Sequence, residues 1–431
     1  MRSLNRIPTN KEVFFWNILG SFTNALLSVV LLMLVTRFLN DKQSDIFSIA
    51  WTISQLMATV GTFQIRTYQA TDVTGVFCFR EYFIFRLITI CLMMISSWAY
   101  ILERGYEGEK ALVVFLMCLF RAIDSLEDVY EGWFQQKERL DLAGKALTYR
   151  IVLSVIGFGM VLHVTQNLVL ACVILIFVYF ICFFMFDIRY QRDVHVLKDI
   201  SVSGKRDHVK WLVSITLEGL PLFINAFLMM SITNAPKMVL DVSIEQGEFE
   251  QGVQTIYNII FMPASFLNLA YIVFRPLITQ MAIVWNLGKN KRFLLILSKI
   301  VICLFGFGIL LVVGSAVLGI PILSFVYGID LVLYKKELLI LIIGGCIYTF
   351  AVVLDNALVV IRMQYILVLA YGITYIFIKI ASEHLVPLCG VMGAAMSYAT
   401  AMMVFLFVVM IMFAFSFFIA VKKRNKKIKE E

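Results

Sequence analysis

Charged and amide side chains recur at intervals of three and four residues in a stretch that is otherwise apolar and aromatic. They are Arg121, Asp124, Asp128, Glu131 and Gln135. On an α-helix these positions lie on one face, opposite an apolar face that suits a membrane. A charge that faces lipid at mid-bilayer costs about 3 kcal/mol or more, so such a face is stable only against other helices or a water-filled cavity. The stripe therefore predicts the wall of a transport path.

The acids of this stripe are candidates for ion coupling and for lining a cavity. They are Asp124, Asp128 and Glu131, with Gln135 beside them and a further acid, Asp355, in a later apolar run. Carboxylates in a medium of low dielectric constant can exchange protons near neutral pH, or chelate a cation with neighbouring oxygens. The pattern predicts coupling to a proton or sodium gradient. An acidic wall would also suit a cationic substrate, and that alternative stays open.

The composition is that of a membrane protein. Of 431 residues, 61% are hydrophobic and 15% are charged, and the chain holds 37 phenylalanines. Soluble domains have a lower apolar share. The formal net charge is +8, which in a membrane protein follows loop topology, so the charge does not predict nucleic-acid binding.

The cysteines and histidines do not predict a metal site, a disulfide framework or a cofactor. The eight cysteines lie mostly inside apolar runs, and the four histidines are scattered. Neither set has the spacing of zinc ligands. The polar N-terminus leads directly into an apolar run without a small-residue cleavage site, so we expect no removable signal peptide.

Twelve apolar runs are long enough to cross about 30 Å of hydrocarbon. They are Phe14–Val35, Ile46–Gln64, Phe83–Leu102, Ala111–Gly132, Leu147–Val164, Leu168–Phe186, Leu212–Thr233, Thr255–Trp285, Phe293–Val317, Leu338–Ile361, Tyr365–Ile380 and Leu388–Val421. Most lysines and arginines, Arg150 among them, fall in segments that are cytoplasmic if both termini are. The sequence predicts an all-α polytopic membrane protein with twelve transmembrane helices and cytoplasmic termini.

The twelve runs form two sets of six. We predict an N-terminal bundle at 1–188, a cytoplasmic linker at 189–211, a C-terminal bundle at 212–421 and a basic cytoplasmic tail at 422–431. Six is even, so both bundles enter the membrane from the same side, as in parallel repeats.

Similar segments in the two sets indicate a duplication. Asn24 in TNALL corresponds to Asn225 in INAFL, Arg66 to Arg275, and Asp128 to Asp355. The two asparagines could hydrogen-bond sugar hydroxyls or join facing helices, and the second use is the commoner one in membranes.

Prolines concentrate in the second set. Pro221, Pro263 and Pro276 fall inside the seventh and eighth runs. A proline removes a backbone hydrogen bond and kinks a helix, so these helices are candidates for a bending gate. A static kink that improves packing is an equal alternative.

Four stretches resemble a known family. They are NILGSFTNALLSVVLLMLVTRFLNDKQSDIFSIAW, QIRTYQATD, EDVYEGWFQQKERLDLAGKAL and YNIIFMPASFLNLAYIVFRPLIT. They resemble polysaccharide flippases of the multidrug, oligosaccharidyl-lipid and polysaccharide exporter superfamily, above all the Gram-positive branch often labelled lipopolysaccharide biosynthesis proteins. The resemblance covers essentially the whole chain. It implies two bundles around a cationic cavity that move an undecaprenyl-pyrophosphate-linked oligosaccharide from the inner to the outer leaflet by alternating access.

A pyrophosphate substrate requires cations along its path. The candidates are Arg66, Arg86, Arg121 and Arg275, because the planar guanidinium binds phosphate oxygens in a bidentate manner. Two alternatives stay open. Arg66 and Arg86 could reach the inner surface as topology signals, and Arg121 could pair with Asp124 or Asp128 as a structural link.

The resemblance implies a secondary transporter of a bacterial cytoplasmic membrane that works in cell-surface polysaccharide biosynthesis. Its candidate partners are the lipid-linked oligosaccharide, membrane lipids, a polysaccharide polymerase and glycosyltransferases. Export of cationic small molecules, as in the multidrug branch, is the first alternative. A membrane polysaccharide polymerase is less favoured, since the outer segments are short and the sequence has no nucleophile beside a base and no nucleotide motif. We therefore expect that the protein is not an enzyme.

Overall fold

The chain folds into helices connected by short turns. A computed structural model describes residues 8–72, 76–193, 208–271 and 274–430. These ranges contain no β-strand, and eight of their helical segments are long and apolar enough to cross a membrane. The prediction of an all-α polytopic membrane protein is confirmed, whereas the count of twelve spans and the orientation of the termini stay predictions. Residues 194–207 of the predicted linker lie outside the described ranges.

The described helices belong to two compact units, Met1–Met230 and Ser231–Glu431. The first unit contains α1 (Asn10–Phe38), α2 (Asp41–Thr62), α3 (Ile65–Thr71), α4 (Phe79–Arg104), α5 (Gly108–Gln136), α6 (Leu140–Thr165), α7 (Leu168–Cys182), a π-helical turn (Phe183–Ile188), α8 (Arg189–Asp193) and the first part of α9 (His208–Glu245). The division between the units falls inside α9, while the sequence predicts two bundles joined by residues 189–211.

The second unit contains the rest of α9 and seven further α-helices within the described ranges. They are α10 (Val253–Phe261), α11 (Phe266–Tyr271), α12 (Arg275–Asn286), α13 (Asn290–Gly314), α14 (Ile320–Tyr327), α15 (Lys335–Val360) and α16 (Leu367–Glu430). A 3-10 turn, Met262–Ser265, separates α10 from α11. The eighth apolar run, predicted as a single helix, is therefore divided into shorter helices. A π-helical turn, Ser315–Gly319, joins α13 to α14.

The helix α5 carries the polar stripe. Its 29 residues correspond to about 43 Å at 1.5 Å per residue, which exceeds the thickness of the hydrocarbon layer. Because of its charges, α5 is not one of the eight helices that are apolar enough to cross a membrane. Nevertheless, α2, α3, α4 and α7 pack around it. Because these neighbours cover much of α5, the charged face is shielded from lipid.

The junction of α2 and α3 positions Arg66, the second residue of α3. Phe63 and Gln64 both have positive φ angles, 46° and 52°, and this conformation costs a non-glycine residue about 1–2 kcal/mol. Packing offsets that cost, since the Phe63 ring stacks on Phe223 at 4.6 Å and meets Phe85 edge-on at 5.4 Å. The break redirects the chain, so that α3 runs against α5.

The helix α9 is longer than the seventh apolar run. The sequence predicts an end at Thr233 and an outer segment after it, but α9 continues to Glu245, about three turns further. The polar residues Asn234, Lys237 and Asp241 recur at helical spacing and are buried, so they continue one face of the helix. Hydropathy alone places the helix end too early, because it counts these residues as loop.

The helix α16 combines the last two apolar runs. Its helical geometry is interrupted at Gly390, where φ is 56° and ψ is −128°. This conformation favours glycine. The Phe249 ring also lies where a side chain at Gly390 would begin, with 3.1 Å between the ring and an ideal Cβ. The predicted separation of two helices near residue 388 therefore corresponds to this break.

Candidate functional site

The stripe on α5 forms ion pairs with arginines from other helices. Arg66 of α3 places Nη1 at 2.6 Å from Glu131 Oε2 and 3.3 Å from Asp128 Oδ1. Arg86 of α4 donates from Nη2 to the second oxygen, Asp128 Oδ2, at 2.6 Å. Asp128 therefore accepts from two guanidinium groups that reach it from different helices.

The side chain of Arg86 is fully buried at the centre of this arrangement. Its Nη1 donates to the carbonyl of Gly61 at 2.7 Å, and Thr89 donates to the same carbonyl at 2.7 Å. A guanidinium fork can hold two acceptors at a fixed angle, which an ammonium group cannot do. Arg86 thus joins the end of α2 to the acidic face of α5.

A third arginine, Arg150 of α6, contacts three carboxylates. Its Nε lies 2.8 Å from Glu127 Oε2, its Nη1 donates to Asp187 Oδ2 at 2.9 Å, and its Nη2 donates to Glu131 Oε1 at 3.3 Å. Arg150, Glu127 and Asp187 each expose 1% or less of their side chains. Arg150, which the sequence places among the cytoplasmic charges, thus has its side chain buried inside the first unit.

The stripe ends in a further pair at Arg121. Its Nη1 donates to Asp124 Oδ2 at 3.0 Å, and the Tyr179 hydroxyl of α7 donates to Asp124 Oδ1 at 3.0 Å. The Arg121 guanidinium also lies over the Trp51 ring, 4.5 Å from its centre. Of the two uses left open for Arg121, the structure has the pairing with Asp124.

Together these side chains form one network, which we call the arginine–carboxylate network. Its members are Arg66, Arg86, Arg121, Arg150, Asp124, Glu127, Asp128, Glu131 and Asp187. Tyr179 joins the Arg121–Asp124 pair to the other members, because its hydroxyl donates to Asp124 and its ring centre lies 4.9 Å from the Arg150 guanidinium. With every group ionised, the positive and negative charges nearly balance. Such close pairing reduces the cost of burying each charge.

The network has an accessible side and a buried side. Arg66 exposes 33% of its side chain, Asp124 30% and Asp128 19%, whereas Arg86 exposes none. Buried ion pairs are costly to break, while partly hydrated ones exchange partners at lower cost. The accessible side can therefore exchange partners, and the buried side holds it in position.

A close approach of α3 and α5 sets the position of Arg66. Gln69 donates from Nε2 to the Val129 carbonyl at 3.1 Å. A methyl group at Gly132 would collide with the Gln69 side-chain carbonyl, so glycine lets the Gln69 amide lie against α5 at this point. Gln136 then donates to the Asp72 carbonyl at 2.6 Å and fixes the end of α3.

The remaining candidate residues lie apart from the network. Gln135 is exposed on α5, and Asn24 is exposed on α1. Asn225 is partly buried on α9, where its Oδ1 has no hydrogen-bond partner among the described residues. Neither asparagine therefore belongs to the network.

The second unit contains the other candidates. Asp355 of α15 accepts a hydrogen bond from the Tyr371 hydroxyl at 2.8 Å, and no ion pair of Asp355 occurs within the described ranges. Arg275 is the first residue of α12, but its side chain lies outside the described residues.

The three prolines occupy different settings. Pro221 lies inside the continuous helix α9, Pro263 in the 3-10 turn after α10, and Pro276 in the first turn of α12. Pro276 and Pro263 stand where a helix or turn begins, and a missing backbone donor costs little there. Pro221 is the one of the three that interrupts the hydrogen bonding of a long helix.

Sequence reasoning missed Arg150 and Asp187 as members of the site, and it interpreted Glu127 as a partner between helices. Glu127 stands four residues before Glu131, so it lies beside the stripe on the same helix. That spacing is a local signal that could have found it. Arg150 and Asp187 lie on other helices, and the stripe does not indicate which distant residue neutralises each acid.

Known proteins resemble this chain both in sequence and in fold. No protein-family model matches the chain. The capsular polysaccharide biosynthesis protein CapF of Staphylococcus aureus is 23% identical over 399 residues, which cover 91% of this chain and 96% of CapF. The fold resembles a multidrug resistance MATE family transporter of the MOP superfamily in its inward-facing conformation, with a TM-score of 0.67, 13% identity and coverage of 93% and 96% of the two chains.

A second solved structure resembles the fold of this chain to a similar degree. It is the lipid II flippase MurJ in an inward closed conformation, with a TM-score of 0.66, 14% identity, and coverage of 93% of this chain and 86% of MurJ. The fold is therefore similar to those of these two solved structures, the first of which is titled a member of the MOP superfamily. This superfamily is the exporter group that the four sequence stretches resemble, so the predicted resemblance is confirmed. Together with eight described helices that are long and apolar enough to cross a membrane, the fold is that of a multi-pass membrane protein.

Proposed function

We propose that the protein is a flippase that moves a polyprenyl-pyrophosphate-linked oligosaccharide from the inner to the outer leaflet for cell-surface polysaccharide biosynthesis. Of the two solved structures described above, one is titled a multidrug resistance transporter of the MOP superfamily and the other a lipid II flippase. The full-length relative is named for capsular polysaccharide biosynthesis. These names support a lipid-linked saccharide as the substrate.

The observation that carries the proposal is the shared carboxylate of Asp128. Arg66 and Arg86 both point at it, with contacts of 3.3 Å and 2.6 Å. Two guanidinium groups that converge on one carboxylate have an arrangement that also suits a phosphate group. A pyrophosphate could therefore take the place of Asp128 and Glu131 at Arg66, the more accessible arginine.

Exchange of the carboxylates for pyrophosphate would leave acids that need another cation. Asp128 and Glu131 would each lose an arginine contact, and a proton or a sodium ion can neutralise them. This exchange links the binding of an anionic lipid to the uptake of a cation. We include coupling to a proton or sodium gradient in the proposal on this ground.

The test compares Arg66→Ala with the matched control Arg80→Ala. Arg80 is an exposed arginine of α4, outside the network. In a host depleted of the native protein, lipid-linked oligosaccharide is quantified in each leaflet while a variant is expressed. We expect Arg66→Ala to cause accumulation of complete units on the cytoplasmic face and Arg80→Ala to restore normal flipping. Normal flipping with Arg66→Ala, at equal protein level, would contradict the role of Arg66 in substrate binding.

A second candidate function is export of cationic small molecules. Asp124 favours it, because this carboxylate is 30% exposed and its contacts are one arginine and the Tyr179 hydroxyl. If depletion leaves the leaflet distribution of lipid-linked oligosaccharide unchanged while a cationic dye accumulates in the cell, export is the function. Asp124→Asn should then abolish dye efflux.

A further inference from the structure

One face of α9 packs against the junction of α2 and α3. Its residues recur every four positions and are Trp211, Ile215, Gly219 and Phe223. Trp211 and Ile215 are buried in one apolar cluster with Phe63, the residue that ends α2. The Phe223 ring stacks on the Phe63 ring, with 4.6 Å between the ring centres and 6° between the ring planes. This face of α9 therefore covers the place where the chain turns from α2 into α3.

Gly219 brings α9 close to both sides of that turn. An ideal Cβ at Gly219 would lie 3.0 Å from a ring carbon of Phe63 and 3.1 Å from the terminal methyl group of Ile65. These distances are shorter than ordinary van der Waals contact, so a larger residue would displace one of the two side chains. Ile65 directly precedes Arg66 in the chain. The backbone of α9 thus lies against the residue next to the accessible arginine of the network.

The break between α2 and α3 depends on contacts with other helices. The two residues at the break have positive φ angles, which residues with a side chain adopt only when the surroundings support them. The break also frees the carbonyl of Gly61, which would accept from the Ile65 amide in a continuous helix. This carbonyl accepts instead from Arg86 Nη1 and from the Thr89 hydroxyl, each at 2.7 Å. The aromatic stack with α9 and the hydrogen bonds from α4 therefore stabilise the break together.

The short helix α3 is attached to α5 by polar contacts. It has seven residues, and a helix this short is not stable by itself. Gln69 donates to the Val129 carbonyl at 3.1 Å, and Arg66, which exposes 33% of its side chain, pairs with Asp128 and Glu131. A partly hydrated ion pair contributes little to stability. The position of α3 therefore depends on the break that precedes it.

We propose that Phe223 of α9 is a positioning residue for Arg66, and that its stack on Phe63 regulates the binding of the anionic substrate. While the two rings are stacked, the break is supported and α3 holds Arg66 against Asp128 and Glu131. When α9 moves and the rings separate, the left-handed pair loses its support, α3 leaves α5, and Arg66 releases both carboxylates. The regulatory role rests on the proposed function, in which Arg66 binds pyrophosphate.

The proposal links the substrate site to the second unit. The first unit ends at Met230, whereas α9 continues to Glu245, so this helix belongs to both units. Energetic coupling between two sites is reciprocal. A movement of α9 changes the affinity of Arg66 for an anion, and an anion that takes Arg66 from its carboxylates loosens α3 and the stack on Phe223.

The test is amide hydrogen exchange of the purified full-length protein, measured by mass spectrometry on peptides from α3. The amides of residues 69–71 are the ones with helical hydrogen bonds inside α3. We expect Phe223→Ala to speed their exchange by about tenfold or more, because α3 opens more often. Exchange in α7 should stay native. Leu217→Ala, at a residue of α9 that is 64% exposed, is the matched control and should leave α3 unchanged.

A second pair of variants separates positioning from a general loss of packing. Glycine adopts the left-handed conformation without steric cost, so Gln64→Gly combined with Phe223→Ala should return the exchange of α3 to within about twofold of native. Gln64→Val, whose branched side chain disfavours this conformation, should speed the exchange of α3 while Phe223 stays in place. If Phe223→Ala fails to fold, the opposite effects of Gln64→Val and Gln64→Gly still test the dependence of α3 on the break.

Flipping by the same variants distinguishes this proposal from the proposed function. We expect Phe223→Ala to flip more slowly and the added Gln64→Gly to restore the rate. Native exchange of α3 in Phe223→Ala, or no recovery with Gln64→Gly, would overturn the positioning role. Altered exchange that recovers as expected, together with normal flipping by Arg66→Ala, would support the positioning role and refute the role of Arg66 in substrate binding.

Discussion

At the scale of single residues, the arginines of the first unit differ in how many acceptors they hold. Arg66 contacts two carboxylates at an accessible position, and Arg150 contacts three while exposing 1% of its side chain. A partly hydrated pair is worth little, and a buried pair is costly to break. The two arginines therefore serve different purposes: Arg66 can release its partners, and Arg150 holds the helices together.

This difference predicts a strong effect of Arg150→Met on stability. Removal of the guanidinium leaves Glu127 and Asp187 buried without a cation, which costs about 3–5 kcal/mol. We expect a markedly lower Tm in detergent and a lower protein level in the membrane. Arg80→Ala, at an exposed position, should leave both unchanged.

A triple variant tests whether the loss of stability in Arg150→Met comes from uncompensated charge or from lost packing. Arg150→Met combined with Glu127→Gln and Asp187→Asn removes the uncompensated charges and should recover much of the lost stability. A single Arg150→Met variant with native Tm would show that the acids are neutral in the folded protein, and that the contacts of Arg150 are not ionic.

The stripe of α5 could be predicted from the sequence because helical periodicity is a local property. Asp124, Asp128 and Glu131 follow from spacing alone, and their position on α5 agrees with it. The partner of each acid is a matter of tertiary packing. For example, Arg150 and Asp187 stand 37 positions apart, and nothing in either segment indicates the other.

At the scale of elements, the separation of α3 and α5 determines where the accessible arginine stands. Gln69 and Arg66 lie on one short helix, and Gly132 of α5 faces both of them. The sequence indicates a helix end at Gln64, but it does not indicate that a short helix turns back against α5. Two residues with positive φ, Phe63 and Gln64, produce that turn, and neither is of a type that predicts one.

This close approach predicts a defect in Gly132→Ala. The added methyl group collides with the Gln69 side-chain carbonyl, so either the Gln69 amide gives up its hydrogen bond to Val129 or α3 shifts, and overpacking of this kind costs about 1–3 kcal/mol. Because Arg66 moves with α3, flipping should fall along with the Tm. The control is Gly306→Ala on α13, where no atom lies within 4 Å of the added carbon.

In the control, replacement of a helical glycine by alanine should raise stability by about 0.5–1 kcal/mol. Flipping and Tm are measured on the same preparations. A Gly132→Ala protein with native Tm and native flipping would mean that α3 adjusts freely, and that the position of Arg66 does not depend on this contact.

At the scale of the whole molecule, the two units carry different charge arrangements. The first unit pairs the acids of the arginine–carboxylate network with arginines, while Asp355 of the second unit has the Tyr371 hydroxyl as its hydrogen-bond partner at 2.8 Å. A partly buried carboxylate without a cationic neighbour favours a bound proton or metal cation. We therefore propose Asp355 as the residue of the second unit that couples transport to a proton or sodium gradient.

This asymmetry predicts the effect of Asp355→Asn. The amide keeps the size of the side chain and can still accept from Tyr371, but it cannot take up a proton or a sodium ion. We expect flipping in proteoliposomes to lose its response to an imposed proton or sodium gradient, while the Tm stays near the native value. Tyr371→Phe, which retains the carboxylate, serves as the matched variant and should keep the response. Full gradient dependence in Asp355→Asn would remove this residue from the coupling mechanism.

The placement of the partners of α5 has a consequence for biogenesis. Two of its arginine partners, Arg66 and Arg86, are synthesised before α5, while Arg150 and Asp187 follow it. As α5 leaves the ribosome, Glu127 has no cation to neutralise it, and an isolated helix with several acids inserts poorly into lipid. We therefore expect α5 to enter the bilayer together with α6, which carries Arg150.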